Sequence, residues 1–428
     1  MRGLTVLALC LVAACGGDDA EDTTFNGEGG TLEVPGCGYS VTTRFGAEIP
    51  KVAGTKIGAD PTPRFVHLGF VGDPKTSIVA QWRTMDETTT AGSIRYGVGA
   101  NLPEVQLTKT VKGIQFAYEG TGTEIYRVHQ AHVCDLEAGT TYSYQVGSDD
   151  HWSSVYTFHT APDVVAHPDA ETVLGFVGDS RGGYDVWAQL ATQLQQRTPD
   201  VLLFSGDAVT LGLIQPEWDE WLEAAQPLLA TTPIVMANGN HEASVVNFFS
   251  QFAMPGDQEN FGFDYGFAHI FVANDTPDGP FSILETETRA EIDADFTAHA
   301  DARWKLLMHH RPMFSSGKNH GSDTALRAAW QPIVDKHHLD LVLNGHEHQF
   351  EMSKPVLGDA VDTNGTVYVV AGGAGADLYG FDDPGFWSDF MESTYTAAVI
   401  RLRQNTLSLD NFRPDGTALG NGYTKTKQ

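Results

Sequence analysis

Five times between residues 173 and 348 a short, mostly apolar run stops and is followed within three residues by an Asp, Asn or His motif. Gly178-Asp179-Ser180-Arg181 follows Val173 to Val177, and Gly206-Asp207-Ala208-Val209 follows Val201 to Phe204. Gly239-Asn240-His241-Glu242 follows Ile234 to Ala237. His309-His310-Arg311-Pro312 follows Lys305 to Met308, and Gly345-His346-Glu347-His348 follows Leu341 to Leu343. Runs of this length and composition predict buried strands, with the polar residues on the loops that leave them. Between the strands, Tyr184 to Arg197 has helical spacing, and Pro216 suits the first turn of a helix through Trp218, Trp221 and Leu222. Val367 to Ala371 adds a further strand, and Phe261 to Ala273 and Thr406 to Phe412 read as β-additions. Strands alternating with helices predict an α/β layered domain.

Each motif alone is weak, and the chain carries its own control. Gly69-Phe70-Val71-Gly72-Asp73 repeats the five residues Gly175 to Asp179, but Pro74 follows, so Asp73 reads as a turn residue. The five motifs together are specific. Two Asp, one Asn and three His form an oxygen and nitrogen donor set suited to hard or borderline divalent metals. A structural zinc site would more usually recruit Cys, and Cys37 and Cys134 lie far from these motifs in sequence. His309 alternates with His310 and is expected to face the opposite side of its strand.

The region from Pro61 to Pro162 has a different rhythm, of short alternating strands such as Ser77 to Trp82 and Tyr142 to Val146. Leu136-Glu137-Ala138-Gly139-Thr140-Thr141-Tyr142 resembles the tyrosine corner of fibronectin type III domains. Trp82 is expected in the core of that sandwich, and His129 and His132 as strand residues.

The motifs, in this order and spacing, resemble the calcineurin-like metallophosphoesterases, and most closely their purple acid phosphatase-like branch. His310-Arg311-Pro312-Met313-Phe314, Phe263-Asp264-Tyr265-Gly266 and the preceding sandwich all fit that branch. The resemblance implies an α/β (α+β) fold: a four-layer β-sandwich flanked by helices over 170–428, preceded by a small all-β fibronectin III-like sandwich over 61–163. It implies two metal ions (Fe, Zn or Mn) that share Asp207. Asp179 and His348 would complete one site, and Asn240, His310 and His346 the other. A hydroxide bridging the metals would attack a phosphate ester, with His241 contacting the phosphate or protonating the leaving oxygen. His320 matches a substrate-contacting histidine of the branch.

The chain departs from that pattern at the first metal. Purple members carry a Tyr ligand three residues after the bridging Asp, where this chain has Thr210. Other members carry a His two residues after the first Asp, where this chain has Arg181, a permanent cation that cannot ligate. Water or the Thr210 hydroxyl could fill the place, Arg181 could turn to the substrate phosphate, or the site could be inactive. The expected activity is phosphomonoester hydrolysis. Diesterase or nucleotide hydrolase activity is the alternative, and a non-catalytic surface-binding lipoprotein the rival of another class.

The N-terminus reads as an address rather than as fold. Met1-Arg2, the apolar run Leu4 to Val12 and Ala13-Ala14-Cys15-Gly16 resemble a bacterial lipobox, implying a signal over 1–15, a lipid on Cys15 and export to the cell envelope. Residues 16–60, rich in Gly, Thr and acidic side chains, read as a flexible tether. In an oxidising compartment Cys37 and Cys134 are either a disulfide or two free thiols. The formal charge of -29 excludes nucleic acid as a preferred partner, since phosphate-backbone affinity needs clustered Lys and Arg. The partner expected is a small phosphorylated molecule, and oligomeric state is not legible.

Overall fold

The computed structural model describes residues 30–43, 58–86, 89, 91–119, 125–276 and 286–428. Residues 1–29, and with them the signal and Cys15, lie outside the described residues.

The first domain is a β-sandwich. One sheet orders Ala59–Gly69, Ile78–Asp86, Ile125–Val133 and Ile114–Glu119, all antiparallel. The other is built around Thr141–Ser148, which pairs Ser93–Val98, His151–Trp152 and Tyr156–His159. Trp82, Tyr142, Tyr144 and Val146 fill the space between them, so the expected core aromatic is in place. The Tyr142 hydroxyl accepts the backbone N–H of Glu137 at 2.9 Å, closing the corner the sequence predicts. His129 and His132 are buried strand residues, and Asp73 caps a turn by accepting Lys75 N–H at 2.9 Å.

The segment 30–43 departs from the expectation of a free tether. Gly30–Glu33 pairs with Ser40–Thr43 as a hairpin. Cys37 is disulfide-bonded to Cys134, and the Tyr39 hydroxyl lies 2.9 Å from His132 Nδ1. The segment lacks a period because its order is imposed from outside, by a covalent bond and a buried imidazole.

The second domain stacks two sheets face to face. The six-stranded sheet runs Ile234–Met236, Val201–Phe204, Thr172–Val177, Ala397–Leu402, Thr406–Phe412 and Ala418–Thr426, its first three strands parallel. The seven-stranded sheet runs Phe261–Tyr265, Ala268–Val272, Trp304–Met308, Leu341–Asn344, Val367–Ala371, Phe350–Ser353 and Ser388–Glu392, with four parallel central strands. Both faces of these strands are apolar because both are covered. Ile270, Leu306, Leu341 and Val367 face the opposing sheet, while Phe271, Leu307, Val342 and Tyr368 pack on the helices Thr286–Ala298 and Thr324–His337. Trp187 of the helix Tyr184–Gln196 and Trp221 of Gln215–Ala224 cover Phe204 on the other side, giving four layers. Gly178 N–H donates to Ala371 O at 3.0 Å, which ties the two sheets together where their parallel strands end.

The domains meet through specific contacts. The Tyr118 hydroxyl donates to Gln215 Oε1 at 2.6 Å, Tyr144 OH donates to Ala230 O at 2.7 Å, and Phe70 packs edge-on against Phe263. No helix among the described residues is long and apolar enough to cross a membrane.

Candidate metal centre

The five loops converge at the carboxyl ends of the parallel strands, the usual place for a site in such sheets. The backbone is under tension there. Asp179, Asp207 and His346 have φ of 62°, 56° and 69°, a left-handed conformation that costs free energy in residues with a Cβ. The neighbouring glycines make the crowding possible. A Cβ on Gly345 would stand 2.1 Å from Asp179 Oδ2, and one on Gly239 would stand 2.3 Å from Asp207 Oδ1.

Two groups of side chains result. Asp207, His310 and His346 each offer a ligand atom, all within 4.8 Å of one another, and Asp179, Asp207 and His348 do the same. Asp207 is common to both. Asn240 Oδ1 lies 3.1 Å from His310 Nε2 and joins the first group. The imidazoles are oriented from behind. His310 Nδ1 donates to Ser205 O at 2.8 Å and His348 Nδ1 to Asp377 O at 2.7 Å, turning each Nε2 into the pocket.

Burial and the charges of the ligand groups on one another set the electrostatics here. Burial raises Asp179 well above the usual carboxylate range. Burial would raise Asp207 too, but His310 at 3.3 Å outweighs it and holds the carboxyl well below that range. Burial alone would lower His310, whereas Asp207 and Asp179 push it up to about 10. Desolvation keeps His348 down at about 4, a ring ready to offer a lone pair. Buried carboxylates crowded in this way call for cations between them.

The remaining expected residues are also here. His241 Nε2 lies 3.8 Å from Asp207 Oδ2, with Nδ1 donating to Thr210 O at 2.6 Å. The Arg181 Nε lies 3.7 Å from Asp207 Oδ2. His320, 44% exposed, places its ring 4.1 Å from that of His346 at the rim. Asn240, His320, His346 and Arg311 line a cavity of about 250 Å³ at this rim. His309 turns away, as alternation predicts, to bond Asp275 Oδ2 at 3.0 Å against Trp330.

With this geometry in view, the comparisons with known proteins are decisive. The family model of the purple acid phosphatase N-terminal domain matches residues 63–160, and that of calcineurin-like phosphoesterases matches residues 172–350. The chain belongs to the purple acid phosphatase-like phosphoesterases. Members of this family are metal-dependent phosphoesterases, and the chain is an enzyme of that kind. Purple acid phosphatase 21 of Arabidopsis thaliana is 23% identical over 334 residues, 73% of this chain and 71% of its own. Acid phosphatase type 7 of Mus musculus is 24% identical over 374 residues, 77% and 81% of the two chains. The solved structure of purple acid phosphatase PPD1 from yellow lupin seeds superposes with a TM-score of 0.71 at 18% identity, covering 86% of this chain and 74% of that one.

Three residues of this phosphoesterase site escaped the sequence reading. Glu242 is fully buried and accepts the N–H groups of Asp207 and Gly239 at 2.8 Å and of Ala208 at 2.7 Å, gathering two ligand loops on one carboxylate. Glu347 accepts the N–H of His320 at 2.5 Å and of Gly321 at 2.7 Å, fixing the rim loop. Tyr379 stacks on His348 with ring centroids 3.9 Å apart, and its hydroxyl accepts Arg181 Nη2 at 3.1 Å. Glu242 and Glu347 sit inside motifs already singled out, so their place was a signal. Tyr379 follows the glycine run Gly372 to Ala376 in a loop with no pattern, and nothing local marks it. It stands beside the Asp179, Asp207 and His348 group, whereas Thr210 is exposed and contributes its carbonyl to His241.

Proposed function

We propose that the chain hydrolyses phosphate monoesters with two metal ions held by Asp179, Asp207 and His348 on one side and by Asp207, Asn240, His310 and His346 on the other. The observation that carries this reading is that the two ligand groups share Asp207. The donor set fits the cations: oxygen and imidazole nitrogen without thiolate suits Fe, Zn or Mn. Bound there, a metal pair acidifies water and neutralises the phosphoryl oxygens.

The chain's own residues supply the rest. Arg181 is a planar donor beside Asp207 and is placed to take phosphate oxygens. His241 keeps Nδ1–H on the Thr210 carbonyl, so Nε2 faces the pocket, and the doubly protonated ring can give its Nε2 proton to the leaving alcohol oxygen. His320 and the adjoining cavity receive the phosphate ester at the rim.

The test is hydrolysis of an aryl phosphate by protein loaded with Zn, Mn or Fe, beside Asp207→Asn. The expected result is at least a hundredfold loss in the variant together with lost metal. Equal activity in both would end this reading. We also infer export and a lipid anchor at Cys15, supported by the apolar run and small residues before it and by a disulfide suited to an oxidising compartment. Cys15→Ser is expected to move the protein from the membrane fraction to the soluble one, and an unchanged distribution would exclude the anchor.

A further inference from the structure

A second cluster of metal-type side chains stands apart from the catalytic loops. Asp264, His269 and His299 each offer one ligand atom, all within 4.8 Å of one another. Asp264 is on the edge strand Phe261–Tyr265 of the seven-stranded sheet, directly opposite His269 on Ala268–Val272. His299 immediately follows the helix Thr286–Ala298. Three separate elements therefore converge at one point.

The hydrogen bonds behind these side chains resemble those that orient metal-bound imidazoles. His269 is buried, and its Nε2 lies 2.5 Å from Asp295 Oδ2. His299 Nδ1 lies 2.8 Å from the backbone carbonyl of the same Asp295. One residue thus accepts from one nitrogen of each ring, which directs His269 Nδ1 and His299 Nε2 to the metal side. A ligating His commonly has its other nitrogen held in this way by a carboxylate or carbonyl. His269 Nδ1 and Asp264 Oδ1 are 2.8 Å apart, the spacing of two atoms that share either a proton or a cation. The two rings lie 3.8 Å apart and 15° from parallel. Donation from both rings to one ion requires His299, which is 39% exposed, to rotate out of this stacked arrangement.

A helix end and an open cavity adjoin the cluster. The last carbonyls of the helix Thr286–Ala298 present its negative end to this point. Beside the cluster opens a cavity of about 290 Å³ lined by Lys75, Asp163, Val165 and Arg303 among others, with room for water in a fourth coordination position. Two imidazoles, one carboxylate and one open position form a donor set for zinc-type borderline ions.

We propose that Asp264, His269 and His299 form a zinc-type cation site, separate from the catalytic centre, with Asp295 as the residue that positions both imidazoles. A bound ion takes the place of the proton between Asp264 and His269 and clamps the edge of the seven-stranded sheet to the end of the helix.

The test uses the full chain dialysed against zinc and freed of excess. Metal per chain is measured in wild type, His299→Ala and Asp264→Asn, both substitutions being at partly exposed side chains. Each variant is expected to hold one equivalent less than wild type, to lose part of the zinc-dependent rise in Tm, and to hydrolyse aryl phosphate at the wild-type rate. The comparison is a difference between chains, so it stands whatever number of ions the catalytic centre holds. Equal zinc content and equal Tm response in wild type and variants would overturn the proposal. A measurement on wild type alone covers a variant that fails to fold. Zinc is expected to protect His299 from diethyl pyrocarbonate, mapped by mass spectrometry, while exposed His151 reacts as before. Unchanged modification of His299 would likewise overturn it.

Discussion

Tyr379→Phe isolates a single oxygen atom in the proposed active site. The ring remains, and with it the stacking on His348 at 3.9 Å, so the change removes only the hydroxyl that accepts Arg181 Nη2 at 3.1 Å. Arg181 has two other neighbours: His348 Nε2 at 3.3 Å and Asp207 Oδ2 at 3.7 Å. Both are proposed ligands whose lone pairs belong to metal when metal is bound, which leaves Tyr379 as the anchor not claimed by another role. A hydrogen bond from a charged donor contributes about 1.5–3 kcal/mol, less where water can replace the partner. Arg181 is 22% exposed, so we take about 1–2 kcal/mol, a loss of roughly five- to thirtyfold in kcat/KM. Arg181→Ala, which removes the phosphate contact itself, is expected to cost about a hundredfold or more. The assay is a double-mutant cycle on aryl phosphate hydrolysis in metal-loaded protein. If Tyr379 acts through Arg181, Tyr379→Phe changes little once Arg181 is gone. Additive losses in the double variant, or less than a twofold effect of Tyr379→Phe alone, would refute the argument.

Two further substitutions test neighbouring assignments. His309→Ala is expected to leave metal content intact but cost about 2–4 kcal/mol in a urea titration, because Asp275 loses its imidazole partner and Trp330 its packing. His310→Ala is expected to lose metal instead, and the reverse pattern would exchange the two roles. Asp200 tests linkage. Burial, with Glu171 adding to it, pushes its carboxyl up to about 6, against the hydrogen bond from Val173 N–H at 2.7 Å. A raised pKa contributes stability below the ordinary value near 4, and that contribution is lost as pH rises through about 6. Two units correspond to about 3 kcal/mol. Asp200→Asn keeps an acceptor for Val173, so its stability relative to wild type is expected to rise by up to that amount between pH 4 and pH 7.5. A difference that stays flat with pH would exclude the linkage.

What the sequence by itself determined is local. An apolar run followed by a polar residue marks a strand end wherever the strand lies, so the loops bearing Asp179, Asp207, Asn240, His310, His346 and His348 were legible one by one. The two-residue period of a strand was enough to separate His309 from His310. The sequence also showed that Thr210 and Arg181 break the expected first ligand set. What stands beside that set was decided by tertiary structure. Tyr379 reaches Arg181 across 198 residues because the parallel strands end side by side, and no period runs through the loop that carries it. Glu242 holds the Asp207 loop, and the hairpin at 30–43 is ordered through Cys134. Asp295 serves two histidines because a sheet edge meets a helix end. Pattern reports which face of its own element a residue occupies, whereas the neighbour it meets there depends on how the sheets and helices pack.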